Sequence, residues 1–421
     1  MRSGRLGSAQ VEELIYGVGR ELREHGLFPT PEIVEGPTTE PIVSLRGEEV
    51  LQFCTGNYLG LATHPDVKAA AVAGIERYGL TSSGSRLVCG TQEPQLELER
   101  EVADFEGVEA AVLYFLVTVA NTGAIVNILR PPLPQLMREL GLRPPGGKRE
   151  ILFDWLSHPS VVEARVTAVG EENVRPYRHV DMNDLERKLK KSDAHIRLIA
   201  TDGLFSTDGD LAPLPDIVGL ADRYGAMVFV DDAHATGVYG AEGRGTWEHF
   251  GVEDRVDIKV GSLAKAFGGG LGAFVVGDGD FADYLRVTGG HYIFGGSVPP
   301  AVAMAITACI RTARRERWRR KAVLENAEYL RERLRCLGFD TLGSVSQIVP
   351  ILIGADQEAI AVSAELLEQG ILIPPFRYPA VPHGKARLRA TLMATHTREQ
   401  IERFLETLVA VADKHDIRRP C

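Results

Sequence analysis

The chain has 421 residues, a net charge of −10 at neutral pH, and 44% hydrophobic and 25% charged residues. That balance suits a soluble globular protein long enough for a large α/β domain and a smaller companion. The acidic balance argues against general nucleic-acid binding, which needs a basic footprint, so an anionic substrate would have to be met by locally placed Arg or Lys. The cysteines (Cys54, Cys89, Cys309, Cys336 and Cys421) are scattered without a Cys-x-x-Cys pair. They point to reduced thiols in a cytosolic protein, and to neither a disulfide framework nor a metal site.

In chain order, residues 1–50 read as an N-terminal helix and arm. Polar residues at the start are not followed by an apolar signal core. An amphipathic helix is expected over Val11–Glu24, then a Pro-rich connector (Phe28–Pro41) and a short strand. Residues 98–110 carry helical spacing and a glycine stop at Gly107. Leu113–Leu129 is the most apolar run, but Thr118, Asn121, Thr122, Gly123 and Asn127 interrupt it. It therefore falls short of the roughly 20 apolar residues of a membrane span and reads as a buried strand running into a buried helix. Residues 130–148 form a Pro/Gly-flanked excursion with a short helical middle, read as a surface insertion. Short apolar runs (Arg197–Thr201, Met227–Val230, Asp257–Val260) then alternate with helical stretches such as Leu214–Arg223. This pattern predicts an α/β fold whose mainly parallel sheet is covered on both faces, in a large domain spanning 51–295. From 296 to 421, long charged helices (Trp318–Leu337, Thr397–His415) around a few strands predict a smaller α+β domain.

Chemistry-bearing residues follow the apolar strands: Asp202 and Ser206, then Asp231 and His234, then Ser262 and Lys265. In open α/β sheets ligands bind at the carboxyl ends of strands, so these six would converge on one crevice. A lysine with a hydroxyl three residues before it and glycines after it (Ser262-Leu-Ala-Lys265-Ala-Phe-Gly), paired with an earlier Asp-x-x-His, is what binding of pyridoxal 5′-phosphate (PLP) requires. The amine forms a Schiff base with the aldehyde, a carboxylate keeps the pyridine nitrogen protonated, and hydroxyls and bare backbone cradle the phosphate. Lys265 and Asp231 are the candidates for the first two roles. His234 and Ser206 would contact the ring hydroxyl, and His158 would stack on the ring. Arg389, in an alternating strand-like run, would grip a substrate carboxylate through a bidentate pair. Each has an ordinary alternative: a capping Asp, a loop His, a turn Ser, a structural His before Pro, an exposed strand Arg. The ordered set is what favours the cofactor.

Two further signals take the ordinary reading. The basic run Arg311–Lys321 is read as a solvated helix face. Gly237–Gly245 is glycine-rich but lacks the strand–turn–helix context of a dinucleotide site.

The motifs together resemble those of the α-oxoamine synthases, fold-type I PLP enzymes. They include Asn57-Tyr-Leu-Gly-Leu, Gly84-Ser-Arg, Cys89-Gly-Thr-Gln, Ala200-Thr-Asp-Gly-Leu-Phe-Ser, Val230-Asp-Asp-Ala-His, Gly243-Arg-Gly, Gly261-Ser-Leu-Ala-Lys-Ala, Val298-Pro-Pro and His396-Thr, over nearly the whole chain. Within the family the glycine C-acetyltransferase branch is most similar, on Phe-Cys before the Asn-Tyr-Leu-Gly motif, Cys-Gly-Thr-Gln, Thr-Asp-Gly and the segment Tyr378–Arg389. The resemblance implies a seven-stranded-type sheet and a homodimer with shared active sites. It also implies that glycine or another small amino acid condenses with an acyl-CoA or acyl-carrier thioester to a 2-amino-3-oxo acid or aminoketone. It implies that Lys265 is also the Cα base, that His158 assists catalysis, and that Asn57 and Arg389 bind the amino acid. Val117 and Thr118 would hold the cofactor phosphate, with Ser297 serving the partner's phosphate. The chain departs from the family pattern at Gly56, Gln95, Leu116–Asn121 and Phe294-Gly-Gly-Ser297, and the excursion 130–148 is long enough to reshape the acyl entrance. Two alternatives stand beside the acyltransferase: another fold-type I activity (aminotransferase or aldolase), and a non-catalytic partner subunit of a heterodimer.

Overall fold

The computed structural model describes residues 9–25, 28, 31–130, 134–143, 146–415 and 417. Its centre is a seven-stranded sheet. The strands are β1 (Ala110–Tyr114), β2 (Arg149–Asp154), β3 (Val174–Tyr177), β4 (Ile196–Asp202), β5 (Met227–Asp231), β6 (Ile258–Ser262) and β7 (Ala273–Gly277). They lie in the order β1-β7-β6-β5-β4-β2-β3. Neighbours from β3 to β6 are parallel, and β7 runs antiparallel to both β6 and β1. The expected α/β architecture with a mainly parallel sheet is thus present, with one reversed strand.

Alternate side chains of each strand enter different cores, which is why the strands read as continuous apolar runs. In β5, Phe229 packs with the helices Val117–Leu129 and Pro159–Val169, whereas Val228 and Val230 join the larger core with Leu214–Tyr224 and Pro300–Arg315. A three-stranded antiparallel sheet, Ile348–Gly354, Ala386–Thr391 and Pro375–Phe376, forms the smaller C-terminal α+β unit with the helices Trp318–Cys336, Asp356–Glu368 and Arg398–Lys414. The N-terminal strand Glu48–Gln52 pairs in parallel with Ile371–Leu372, so the arm leading to residue 56 is tied to that unit.

The excursion 130–148 contains a helix, Pro134–Glu139, while residues 131–133 and 144–145 lie outside the described set. It leaves the carboxyl end of the thirteen-residue helix Val117–Leu129, about 20 Å from that helix's start at a rise of about 1.5 Å per residue. The helix start is the end that faces the strand termini, and no described residue of the excursion is among those lining the crevice there.

The basic run Arg311–Lys321 corrects an expectation. It is not one solvated face: the first helix ends at Arg315 and the next begins at Trp318. Arg311, Arg314, Arg315 and Arg317 pair with Glu97, Asp104, Asp66 and Glu242. Arg319 and Arg320 are buried and donate to the carbonyls of Leu59 and Ala241. The run ties two helices to the surface beside them, and periodicity alone does not show where an arginine's carboxylate waits.

Directly behind the strand ends lies a buried ion cluster. Lys259 in β6 is fully buried, with Nζ 2.6 Å from Glu106 Oε2 and 3.7 Å from Asp232 Oδ2, and it also donates to the Arg244 carbonyl. Asp232 accepts from the amide and hydroxyl of Thr246, each at 2.7 Å. Gly245, at φ 99°, is required here because a Cβ would overlap the Asp232 carboxylate. The glycine-rich segment 237–245 is therefore a tight cover over buried charge. A second clamp holds the turn after β4. His179 bridges Asp154 at 3.0 Å and Asp210 at 2.9 Å, and those two bonds, opposed by burial, raise its pKa to about 9.

Lys259→Met should lower stability by about 3–5 kcal/mol in urea unfolding, because two buried carboxylates lose their cation. Replacing Glu106 by Leu in the same chain should recover part of the loss, and a single-variant cost below about 1 kcal/mol would contradict the account. For His179 the folded pKa lies above its ordinary 6.5. Its contribution is then complete below that pH and disappears as pH rises through about 9. The stability gap between wild type and His179→Gln should shrink over that window, and a gap that widens would contradict the clamp.

Candidate active site

A cavity of about 210 Å³ opens where β4, β5 and β6 end, facing the start of the helix Val117–Leu129. Its lining includes Thr118, His158, Asp202, Asp231, His234 and Lys265. Asp202 and Asp231 are the last residues of β4 and β5 and stand opposite each other in register. Strand β6 ends at Ser262, whose hydroxyl accepts from the Ala264 amide at 3.2 Å and shapes the turn that delivers Lys265.

The electrostatics of this crevice are set by burial. Burial lowers the Lys265 pKa from 10.5 to about 8, against the opposing pull of Asp231 and Asp202. A substantial fraction of the amine is therefore neutral near physiological pH. Burial, reinforced by the Asp231 charge, pushes Asp202 well above the usual carboxylate range. The Asp231 carboxylate is held on both oxygens: Oδ1 accepts from the Ala233 amide at 3.0 Å and Oδ2 from Asn121 Nδ2 at 2.6 Å.

Both histidines are fixed through Nδ1. His158 caps the helix Pro159–Val169, where Nδ1 accepts from the Ser160 amide at 3.2 Å and lies 2.7 Å from the Ser160 hydroxyl. Its own amide donates to Asp202 at 3.0 Å, and burial lowers its pKa. His234 Nδ1 lies 2.6 Å from the Tyr58 hydroxyl, and its carbonyl accepts from Gln347 at 2.7 Å. Burial pushes the Tyr58 pKa up to about 12 and the His234 pKa well below its ordinary value. Tyr58 is thus the donor to a neutral imidazole.

Arg389 reaches this region from the small domain. It donates from Nη1 to the Ser206 carbonyl at 2.9 Å and lies 4.2 Å over the Phe376 ring. Its charge acts on Lys265 and His234. Its Nε is buried without a partner, and among the described residues no carboxylate pairs with it. A buried guanidinium lacking a counter-ion carries a large desolvation cost that an incoming anion would relieve. The neighbouring Arg387, by contrast, is taken by Asp208.

The structure therefore brings Lys265, Asp231, His234, His158, Ser262, Val117 and Thr118 to one cavity, with Arg389 beside it. It places Asn57 and Ser206 outside that cavity, and Ser297, expected to serve a partner's phosphate, in another one. Asn57 is buried, and its amide is committed to the carbonyl of Thr39 and the amides of Leu61 and Ala62, so it shapes the Asn-Tyr-Leu-Gly turn. Ser206 sits in the turn after β4, presents its carbonyl to Arg389 and does not line the cavity. Ser297 lines a separate cavity of about 290 Å³ with Arg86, Tyr114 and Val119, its hydroxyl buried without a partner. The residues left out of the sequence-based set are Tyr58, Asn121 and Ser160; Asp202, expected in the crevice, does line it. Tyr58 lies inside a quoted motif and Asp202 ends a recognised strand, but nothing local signals that Asn121 meets Asp231, 110 positions away.

These residues fit pyridoxal phosphate. The helix beginning at Val117 has no side-chain cap at Leu116. Its first amides are thus free to meet a phosphate, to which the helix dipole adds. Asp231 offers a buried carboxylate for a ring nitrogen and Lys265 a partly neutral amine for an aldehyde. Gly56 leaves space beside the lysine, since a Cβ there would only touch Lys265 Cγ, at 3.5 Å.

Known proteins agree. Residues 48–408 match the family model for class I and II aminotransferases. The chain is 40% identical over 401 residues to an 8-amino-7-oxononanoate synthase of Geobacter sulfurreducens, covering 94% of this chain and 97% of the relative. It is 41% identical over 374 residues to 8-amino-7-oxononanoate synthase 1 of Bacillus velezensis, covering 88% and 90%. A PLP-bound serine palmitoyltransferase from S. paucimobilis superposes with a TM-score of 0.87 at 28% identity, over 97% of this chain and 99% of that one. A serine palmitoyltransferase from Sphingomonas wittichii gives a TM-score of 0.87 at 28% identity, over 98% and 100%. The chain belongs to the class I and II aminotransferase family and, within it, to the α-oxoamine synthases, PLP-dependent acyltransferases to which glycine C-acetyltransferase is a sibling.

Proposed function

We propose that the cavity condenses glycine or another small α-amino acid with an acyl-CoA or acyl-carrier thioester, to give a 2-amino-3-oxo acid or the aminoketone left after loss of carbon dioxide. The observation that carries this reading is Arg389: a half-buried cation, its Nε fully enclosed, without a carboxylate partner among the described residues and beside a lysine whose pKa is lowered to about 8. Arg389 binds the amino acid's carboxylate. Lys265 would hold the cofactor, Asp231 would meet its ring nitrogen and His234 its hydroxyl, His158 and Ser262 would lie beside it, and the amides of Val117 and Thr118 would meet its phosphate. When bound, PLP supplies the electron sink for a negative charge at Cα. The Lys265 amine would take the Cα proton onto Nζ, which a partly neutral amine can do far more readily than an ordinary lysine. The name of the relatives supports a small amino acid: an amine and a ketone on adjacent carbons, with one methyl beyond, correspond to alanine joined to an acyl group with loss of carbon dioxide.

The working unit is a homodimer in our reading, and the chain acts in the cytoplasm. Phe294 is 85% exposed, and Phe115 and Leu116, beside the phosphate end of the cavity, are also exposed. A second copy covering this surface would bury them and bring its Ser297 toward the neighbouring cofactor. No helix of the described residues is long and apolar enough to cross a membrane.

Purified chain loaded with PLP should release free thiol from short acyl-CoAs with glycine or alanine. Lys265→Ala should abolish that release while the fold, read by circular dichroism, is kept. Arg389→Leu should raise the KM for the amino acid by roughly 100-fold, the value of two charge-assisted hydrogen bonds. Full activity in either variant would sink the assignment, and a spectral change with amino acid but no thiol release from any donor would point to aminotransfer or aldol cleavage. Sedimentation at micromolar concentration should give a species of twice the chain mass, and a monomer active at that concentration would exclude shared sites.

A further inference from the structure

The two histidines of the cavity are neutral for the same reason, burial, but the group that orients each is different. His234 takes a single donor, the Tyr58 hydroxyl. His158 stands at the end of a chain of hydrogen bonds that begins on Asp231. Asn121 Nδ2 lies 2.6 Å from Asp231 Oδ2 and 2.8 Å from Ser160 Oγ. Ser160 Oγ lies 2.7 Å from His158 Nδ1, and the Ser160 amide donates to the same nitrogen at 3.2 Å.

The directions in this chain are forced. A carboxylate oxygen only accepts, so the Asn121 atom facing it is the amide nitrogen. The opposite flip would press two acceptors together at 2.6 Å. The second amide hydrogen is then spent on the Ser160 oxygen, and the Ser160 hydrogen has His158 Nδ1 as its acceptor. Two donors, the Ser160 hydroxyl and amide, converge on Nδ1, so Nδ1 carries no hydrogen. Asn121 Oδ1 is meanwhile buried without a partner, a cost that shows the amide is held for its donors.

We propose that Asn121 and Ser160 are positioning residues that fix His158 as the neutral tautomer with its proton on Nε2, so that the cavity meets a hydrogen-bond donor there and not a base. Among the described residues Nε2 has no partner, and His158 lines the cavity. The consequence rests on the reading of the cavity given above: the proton leaving Cα has Lys265 as its acceptor, and His158 donates to an oxygen of the substrate. The tautomer itself is a property of the protein alone. The charges around His158 oppose one another. Asp231 and Glu163 favour the imidazolium, Lys265 and burial oppose it, His234 is close enough to couple to it, and Asp202 is engaged by its amide. The two donors on Nδ1 add to the opposing side.

The test uses full-length protein carrying ¹⁵N-labelled histidine and no cofactor, with the His158 signals assigned by their loss in His158→Gln. In wild type, between pH 6 and 8, Nε2 should give the shift of a protonated nitrogen and Nδ1 that of an unprotonated one. Ser160→Ala, which leaves only the weaker amide donor on Nδ1, should admit a detectable fraction of the Nδ1-protonated tautomer and raise the titration pH of this ring. Ser160→Thr, which keeps the hydroxyl, should restore the wild-type pattern. Asn121→Leu should act in the direction of Ser160→Ala, and if that variant does not fold, the serine pair carries the test. A proton on Nδ1 in wild type, or a His158 pattern identical in wild type and Ser160→Ala, would overturn the proposal. Because the measurement needs neither cofactor nor turnover, absence of thiol release would count against the proposed reaction and leave this result standing.

Discussion

The amine of Lys265 is largely desolvated in a crevice that it shares with the carboxylates ending β4 and β5, and the cost of that desolvation exceeds what the carboxylates return. Two nearby negative charges would by themselves raise a lysine's pKa. It falls instead to about 8, because desolvation is the larger effect. The same imbalance drives Asp202 toward its neutral form and keeps His158 and His234 uncharged. The Lys265 amine and the Asp202 carboxyl, which would be ionised in water, are thereby shifted toward their neutral forms, and the two imidazoles are held further from their charged ones.

That cavity exists because a parallel sheet collects its strand ends on one edge, and because the backbone there is anchored from behind. Lys259, Glu106 and Asp232 form a buried cluster one residue past Asp231, covered by Thr246 and the turn at Gly245. Breaking such a cluster leaves an uncompensated buried charge, so its integrity constrains where the Asp231 carboxylate can lie. From the other side, Arg387 and Arg389 reach across from the small domain to the turn that follows β4. The neighbouring arginines divide the work. One is neutralised by Asp208 and holds the turn, and the other has no carboxylate partner among the described residues.

Much of this was legible in the residues. Strand-terminal Asp202 and Asp231, the hydroxyl-x-x-lysine turn and the later His234 could be read as one crevice because a strand followed by a helix places its carboxyl end predictably. The helix start at Val117 was legible too, since an apolar run broken by Thr118 and Asn121 has to turn from strand to helix there. Asn57 and Ser206 lay outside that logic. Each belongs to a motif of the family, but the direction of a side chain in a turn depends on which backbone groups need a partner. Asn57 satisfies three of them. Likewise the basic run after Arg311 has the periodicity of a wet surface, and only the positions of Glu97, Asp104 and the Leu59 carbonyl convert it into a set of ties.

The amino-acid sequence by itself determined the fold class and the order of chemical groups along the sheet edge, because apolar period and strand-end position are local properties of the chain. It also determined the cofactor, because no other common chemistry calls for that lysine, aspartate and histidine in that order. The tertiary structure alone decided the protonation state of each group and the partner of each polar atom. Desolvation and hydrogen-bond direction depend on neighbours more than a hundred positions away: Asn121 on Asp231, Tyr58 on His234, Lys259 on Glu106. Those neighbours fix which atom of each group is engaged and which is left facing the cavity, a division that the residue types alone leave undecided.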